Sequence, residues 1–150
     1  MAKEIERKFL VKDHSYKELA FSRREISQGY LSTDADATVR VRICDGEAWL
    51  TVKSRNRGAM RGEWEYPVPV EDARAMLAEC CGTRVIEKTR WCVDAGDDLC
   101  WEVDEFHGRH AGLVVAELEL PSEDTPFVKA PFAGDEVTGR PEYYNSSLAS

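Results

Sequence analysis

Polar and apolar positions alternate with a period of two along most of this chain, and the polar set is largely charged. From Ile5 to Val11 a β-branched and aromatic run reads as a strand, with Glu4, Glu6 and Lys8 on one face and Ile5 and Phe9 on the other. The pattern returns with Arg40 and Arg42 between Val39, Val41 and Ile43, and with Lys53 and Arg55 after Leu50 and Val52. Glu63 and Glu65 alternate with Trp64 and Tyr66. Lys88 and Arg90 lie opposite Val85, Trp91 and Val93. Glu102 and Asp104 alternate with Trp101 and Val103, and Glu117 and Glu119 with Leu118 and Leu120. One such pair describes an ordinary solvated sheet face. Seven strands carrying one each point to a sheet that closes on itself, so that its charged face lines a lumen.

Taken in order, the pattern predicts strands over residues 3–11, 24–31, 38–44, 47–54, 62–68, 84–93, 98–106 and 112–120. Ile26, Gln28 and Tyr30 share a face of the second. Asp45-Gly46 is a hairpin signal, and Pro67 and Pro69 are expected to stop the fifth strand. Ser15 with Glu18 fits a capping box for a short helix after the first strand. Over residues 70–80 the period changes. Val70, Ala73, Met76, Leu77 and Cys80 recur at helical spacing, Glu71 and Asp72 occupy the first turn, and Gly82 ends the helix. A further short helix is expected near Tyr143 to Leu148. The sum is a mainly β (α+β) single domain: a closed eight-stranded antiparallel barrel, with a side-chain-sized interior and a few flanking helices.

Composition narrows the chemistry. The 150 residues are 43% hydrophobic, enough for one cored domain. A net charge of −8 argues against general nucleic-acid binding, which needs a basic footprint, but local basic clusters can still hold small anions. Five cysteines, with Cys80 and Cys81 adjacent, do not form a disulfide framework and read as small buried hydrophobes. No Cys/His spacing matches a zinc site, and His107 and His110 read as exposed loop residues. Without a signal peptide or membrane-spanning run, the expected setting is the cytoplasm. The four tryptophans (49, 64, 91 and 101) fall mostly on the face opposite the charges, where they read as packing. A lumen of mixed sign suits a particular ligand. Basic residues match an oxygen-rich anion and carboxylates match a hard cation, so together they fit a metal-bound polyphosphate.

The residues that carry this reading also resemble a known family. Glu4-Ile5-Glu6-Arg7-Lys8-Phe9-Leu10 is similar to the ExExK signature of the CYTH superfamily, the triphosphate tunnel metalloenzymes. The likeness continues in order through Gln28-Gly29-Tyr30-Leu31, Val39-Arg40-Val41-Arg42, Leu50-Thr51-Val52-Lys53 and Glu63-Trp64-Glu65-Tyr66. It then runs through Glu87-Lys88-Thr89-Arg90, Trp101-Glu102-Val103-Asp104 and Glu117-Leu118-Glu119, and extends to Glu136-Val137-Thr138 and Tyr144-Asn145. It covers nearly the whole chain. It implies an eight-stranded tunnel that binds triphosphates with a divalent metal, Mg²⁺ or Mn²⁺, and short bacterial members resemble inorganic triphosphatases. The family also holds adenylate cyclases and thiamine and RNA triphosphatases.

The resemblance implies substrate contacts from Lys8, Arg40, Arg42, Lys53, Lys88 and Arg90. Candidate metal ligands are Glu4, Glu6, Glu63, Glu65, Glu117 and Glu119, with Asp104 a further one preferred over Glu102. Lys8 and Tyr30, expected to meet across the first two strands, join Glu4 and Glu6 as candidate catalytic residues. Which glutamate acts as base is left open. Arg55 is expected at the mouth or in solvent, and Lys129 and Arg140 are the tail's only candidates for a basic residue over the tunnel mouth. The expected partner is a small triphosphate, with neither nucleic acid nor membrane; a homodimer is left open. Competing readings are a cyclase on the same tunnel and a polyphosphate-binding module without turnover.

Overall fold

The computed structural model describes residues 3–149. In chain order it contains β1 (Lys3–Val11), α1 (Tyr16–Leu19), β2 (Ser22–Ser32), β3 (Thr38–Cys44), β4 (Glu47–Lys53), β5 (Met60–Val68) and α2 (Val70–Glu79). There follow β6 (Val85–Gly96), β7 (Leu99–Phe106), β8 (Val114–Glu119), β9 (Ala133–Glu136) and α3 (Asn145–Ala149), with 3-10 turns at Gly108–His110 and Pro141–Tyr143. The sheet runs β5-β4-β3-β2-β6-β7-β8-β1, and β1 pairs back onto β5, closing an eight-stranded antiparallel barrel as the charge pattern predicts. One residue pair per charged position sets the lumen. The register places Gln28 opposite Arg42, Lys53 opposite Glu63, Arg90 opposite Asp104, and Lys8 opposite Glu117.

Two of the three apolar cores lie outside this wall. Phe9, Trp101, Val103, Ala116 and Leu118 on the outer face pack with Tyr16 of α1 and with Phe132 from the tail. The opposite side of the barrel is covered by α2, whose Ala73 packs with Val41, Ala48 and Cys81. Here Gly29 has a mechanical reason. A Cβ at that position would stand 2.7 Å from a Leu77 methyl and 2.8 Å from the Cys81 sulfur, so only glycine lets the helix seat. The third cluster is inside the barrel. Tyr30, Ile86, Phe106 and Val115 meet Leu148 and Ala149 of α3, which stop one end of the lumen with an apolar floor.

Several local expectations need correction. Asp45-Gly46 does turn the β3–β4 hairpin, both residues having positive φ. The capping box does not form: the Ser15 hydroxyl and amide both donate to Asp13 Oδ1, at 2.6 and 2.9 Å, and leave the first turn uncapped by the side chain. β5 ends at Val68, just before Pro69, as expected, but begins two residues earlier at Met60; Pro67 is tolerated inside it because β1 covers the strand only at Met60–Gly62, so its far half is an edge where a missing N–H costs no ladder bond. The sequence pattern offers no hint of β9, which adds to the free side of β1 beyond the β5 pairing, with Phe9 opposite Glu136 and Val11 opposite Ala133. His107 precedes the 3-10 turn and is exposed, but His110, the last residue of the turn, is half-buried: it lies 2.5 Å from the Leu148 carbonyl, and with Arg109 it satisfies the C-terminal carbonyls of α3. All five cysteines are free thiols; Cys44, Cys81 and Cys92 are buried, whereas Cys80 is exposed. No described helix is long and apolar enough to cross a membrane.

Candidate active site

Alternation along eight strands delivers the charged side chains to one cavity of about 220 Å³. Of the residues singled out in the sequence, Glu4, Glu6, Lys8, Tyr30, Arg40, Arg42, Lys53, Glu63, Glu65, Lys88, Arg90, Glu117 and Glu119 all line it. A second chamber of about 420 Å³ adjoins it through the shared residues Arg42, Glu65, Arg90 and Glu102 and opens at the other end of the barrel.

Asp104 is the exception, standing behind the wall of charges. It is fully buried and accepts two bonds from Arg90, at 2.8 and 3.0 Å, with Lys88 Nζ at 2.8 Å. These two cations hold its carboxyl below the usual range against the cost of burial. Asp104 therefore positions Lys88 and Arg90 and offers no open oxygen to a metal, whereas Glu102, which the sequence reading set aside, does reach the cavity and meets Arg90 Nη1 at 3.1 Å.

The remaining acids form pairs. Glu4 holds Lys53 at 3.1 and 3.2 Å and hydrogen-bonds with Glu63; burial opposes its ionisation, but Lys53 outweighs that and keeps it low. Burial and the Glu4 bond push Glu63 up to about 7. The second pair is Glu6 with Glu117. Burial, then Glu117 and Glu4, push Glu6 well above the carboxylate range, while Lys8 and Arg90 hold Glu117 low against its own burial. Each pair thus shares a proton where two carboxylates crowd together. A divalent cation fits such a place, since it replaces the proton and leaves both groups ionised. Among the described residues no three acids stand close enough to form a ready-made cage.

The cations are less well matched. Lys8 donates to the Tyr143 carbonyl at 3.1 Å and lies 3.7 Å from Glu117; Glu117 and Glu6 raise it despite burial, so it stays an ammonium. Arg40 bonds Thr51 at 3.2 Å and Glu65 at 3.5 Å, but its buried Nε has no partner. Arg42 has an uncharged partner, the Gln28 carbonyl at 2.8 Å, and no carboxylate within ion-pair reach among the described residues. Burial, with Arg40 and Arg90 nearby, pushes it down to about 10. Burial likewise pushes Lys88 down to about 7, in spite of Asp104. Buried guanidinium groups with idle donors are seats for anionic oxygen.

Lys8 and Tyr30 do not meet as expected. Their strands are separated in the barrel by β6, β7 and β8, and Tyr30 takes a long 3.4 Å bond from Gln28. The two residues line the same cavity from different walls. Arg55 is exposed and paired with Asp36, as its strand-end position implies. Neither Lys129, over the outer Phe9 ring, nor Arg140, paired with Glu142, covers the mouth. The tail instead contributes Asn145, whose carbonyl accepts from Lys88 at 2.9 Å and Gln28 at 3.3 Å. Trp49 shares the charged face, opposite Arg42, and lines the second chamber, while Trp64, Trp91 and Trp101 lie outside it as expected. Arg61 and Asn145 line the cavity and were missed by sequence reasoning, as were Gln28 and Thr51, fully buried supports that bond Arg42 and Arg40 from behind the lining.

A charged, closed tunnel with this ordered set of residues has a counterpart among known sequences: the CYTH domain matches residues 2–147. The chain belongs to the CYTH domain family. Its relatives include the inorganic triphosphatase of Acetivibrio thermocellus, 46% identical over 148 residues, an alignment spanning 99% of this chain and 94% of that protein. The inorganic triphosphatase of Nitrosomonas europaea is 37% identical over 149 residues, spanning 97% and 96%. A solved crystal structure of an inorganic triphosphatase superposes with a TM-score of 0.70 at 34% identity, covering 99% of this chain and 95% of the other. CYTH triphosphatases are metal-dependent in general, which agrees with the paired carboxylates of the tunnel.

Proposed function

We propose that this protein is an inorganic triphosphatase that hydrolyses tripolyphosphate in its tunnel with Mg²⁺ or Mn²⁺. The observation that carries the reading is the surplus of anion-seeking donors: Arg42 half-buried without a carboxylate, beside buried Arg40 with an unpartnered Nε. The names of its relatives point the same way. Arg40, Arg42, Lys53, Lys88 and Arg90 would hold the phosphate oxygens, the arginines through forked bonds. Lys8, kept charged by Glu117 and Glu6, acts as a phosphate contact and not as a base. Tyr30 closes the inner end of the seat.

Glu4, Glu6, Glu63, Glu65, Glu117 and Glu119 are the acids that would hold the metal. Asp104 sets the two cations of β6 in place. When bound, the metal supplies charge neutralisation on the phosphates and a more acidic attacking water. The reaction is an in-line displacement. Water oxygen bonds to a terminal phosphorus, the bridging P–O bond breaks, and pyrophosphate leaves with orthophosphate as the second product. The proton lost by the water passes to a glutamate of the tunnel, and the arginines meet the charge that grows on the departing oxygen. The free thiols agree with a reducing cytoplasm.

The test is phosphate release from tripolyphosphate, ATP and thiamine triphosphate side by side, with Mg²⁺, with Mn²⁺ and with chelator. Chelator-sensitive turnover that favours tripolyphosphate is expected. Cyclic AMP and pyrophosphate from ATP would replace this reading with a cyclase. Tight binding of tripolyphosphate without turnover would replace it with a binding module.

A further inference from the structure

Arg61 belongs to Arg57-Gly58-Ala59-Met60-Arg61-Gly62, a basic, glycine-bearing stretch without alternation of polar and apolar positions. In the fold it is the second residue of β5 and sits directly opposite Glu4 in the short β1–β5 pairing. Its side chain is 17% exposed and lines the charged cavity. It also lines the narrow opening bounded by Gly58, Thr138 and Tyr144.

Its bonding is slack. The Nε donates to Glu4 Oε1 at 3.4 Å, the same oxygen that Lys53 holds at 3.1 Å. The guanidinium lies 5.9 Å from the centre of the Tyr144 ring, with Lys8 Nζ at 5.7 Å from the same ring. Of the five donors of an arginine, one is spent on a long, shared bond. Neutralising Glu4 does not require it, because Lys53 already spans both oxygens of that carboxylate.

We propose that Arg61 is a further substrate-binding residue, resting on Glu4 until substrate binds and then passing to a phosphate oxygen. The proposal rests on the triphosphate reading of the tunnel. A divalent cation drawn to Glu4 repels the two cations already there. Lys53 keeps Glu63 as a second partner, at 3.6 Å, but Arg61 has no second carboxylate within 4 Å among the described residues. Arg61 is therefore the cation released, and the nearest anion left to it is the substrate.

Two titrations by calorimetry test this on the whole chain: tripolyphosphate in the presence of chelator, and Mn²⁺ without substrate. Arg61→Gln and Arg61→Met are compared with the parent and with Arg42→Gln, each first checked for a native far-UV spectrum; either Arg61 variant suffices if the other does not fold. Loss of one charge-assisted bond should weaken tripolyphosphate binding by roughly tenfold or more. KM should rise by more than kcat falls, and Mn²⁺ should bind as tightly as in the parent or more tightly, since a competitor for Glu4 is gone. Tripolyphosphate affinity within twofold of the parent, or a parallel loss of Mn²⁺ affinity, would overturn the proposal and leave Arg61 as a partner of Glu4. If Arg42→Gln also left the affinity untouched, the triphosphate reading itself would fall.

Discussion

Replacing Asp104 by Asn removes a negative charge that is fully buried in the barrel. The substitution keeps the volume but turns one acceptor into an N–H donor that faces either Lys88 Nζ or the Arg90 guanidinium, each of which now meets it at 2.8 to 3.0 Å. Both cations are buried, so neither can recover the lost partner from water. Removing one member of a buried ion pair costs about 3–5 kcal/mol. In a domain of this size that lowers Tm by about 6 to 20 °C.

The loss also depends on pH. Lys88 has a folded pKa depressed to about 7 from an ordinary 10.5, so the stability it contributes is present at high pH and is lost as pH falls through that window. Without Asp104 the folded pKa drops further, and the window extends below 7. The gap between variant and parent should therefore be wider at pH 6 than at pH 9, where Lys88 is neutral in both folded forms. Differential scanning calorimetry at the two pH values reads this directly. An Asp104→Asn protein that melts within about 2 °C of the parent at both would refute the idea that Asp104 neutralises this pair.

Other outcomes follow from the same charges. Arg42→Gln should weaken tripolyphosphate binding at least about tenfold while raising Tm by a few degrees, because a half-buried charge without a carboxylate, crowded by Arg40 and Arg90, is relieved; calorimetry of binding and of melting checks both. Glu6→Gln copies the neutral form that Glu6 already favours, so Tm should stay within about 2 °C, yet metal-dependent phosphate release should fall roughly 10²-fold or more. Glu63 is raised to about 7 and is protonated below that value, and it must ionise to meet a cation. Mn²⁺ affinity measured without substrate should therefore rise by up to about tenfold per pH unit between pH 6 and 7 and level off above. A flat profile across that range would exclude Glu63 from the metal site.

Most of the barrel is legible in the sequence because its lumen is charged, so alternation marks the inner face on each strand separately. Two strands of the site escape that logic. On β4 the inner face reads Trp49, Thr51 and Lys53, and an apolar and a neutral residue carry no inward signal; only the register against Arg42 and Arg40 places them. On β2 it reads Ile26, Gln28 and Tyr30, where the buried amide of Gln28 was visible but its service to Arg42 was not. The Lys8–Tyr30 contact failed for a different reason, since sequence adjacency of two strands does not make them sheet neighbours. Asp104 and Glu102 look alike in the sequence. The register of β7 against β6 sets Asp104 directly opposite Arg90, while Glu102, opposite Cys92, reaches the cavity. The strand β9, Ala-Gly-Asp-Glu, has no apolar pattern at all, and its place comes from main-chain bonds and from the Arg7–Glu136 pair.

The barrel wall is uneven in strength around its circumference. Strands β2 and β6 are joined over eight residue pairs, while β1 and β5 are joined over three, Lys3–Gly62, Glu4–Arg61 and Ile5–Met60. That seam joins the start of the chain to its middle, so it is costly in loop entropy and is expected to form late in folding and open first in the native state. Glu4, Arg61 and, through Glu4, Lys53 sit on it. Cation and phosphate binding at those side chains would tie together the two edges of the sheet that the backbone holds least firmly. Amide hydrogen exchange along Lys3–Ile5 and Met60–Gly62 should then slow on ligand binding more than elsewhere in the barrel, making occupancy of the tunnel and closure of its wall two readings of one equilibrium.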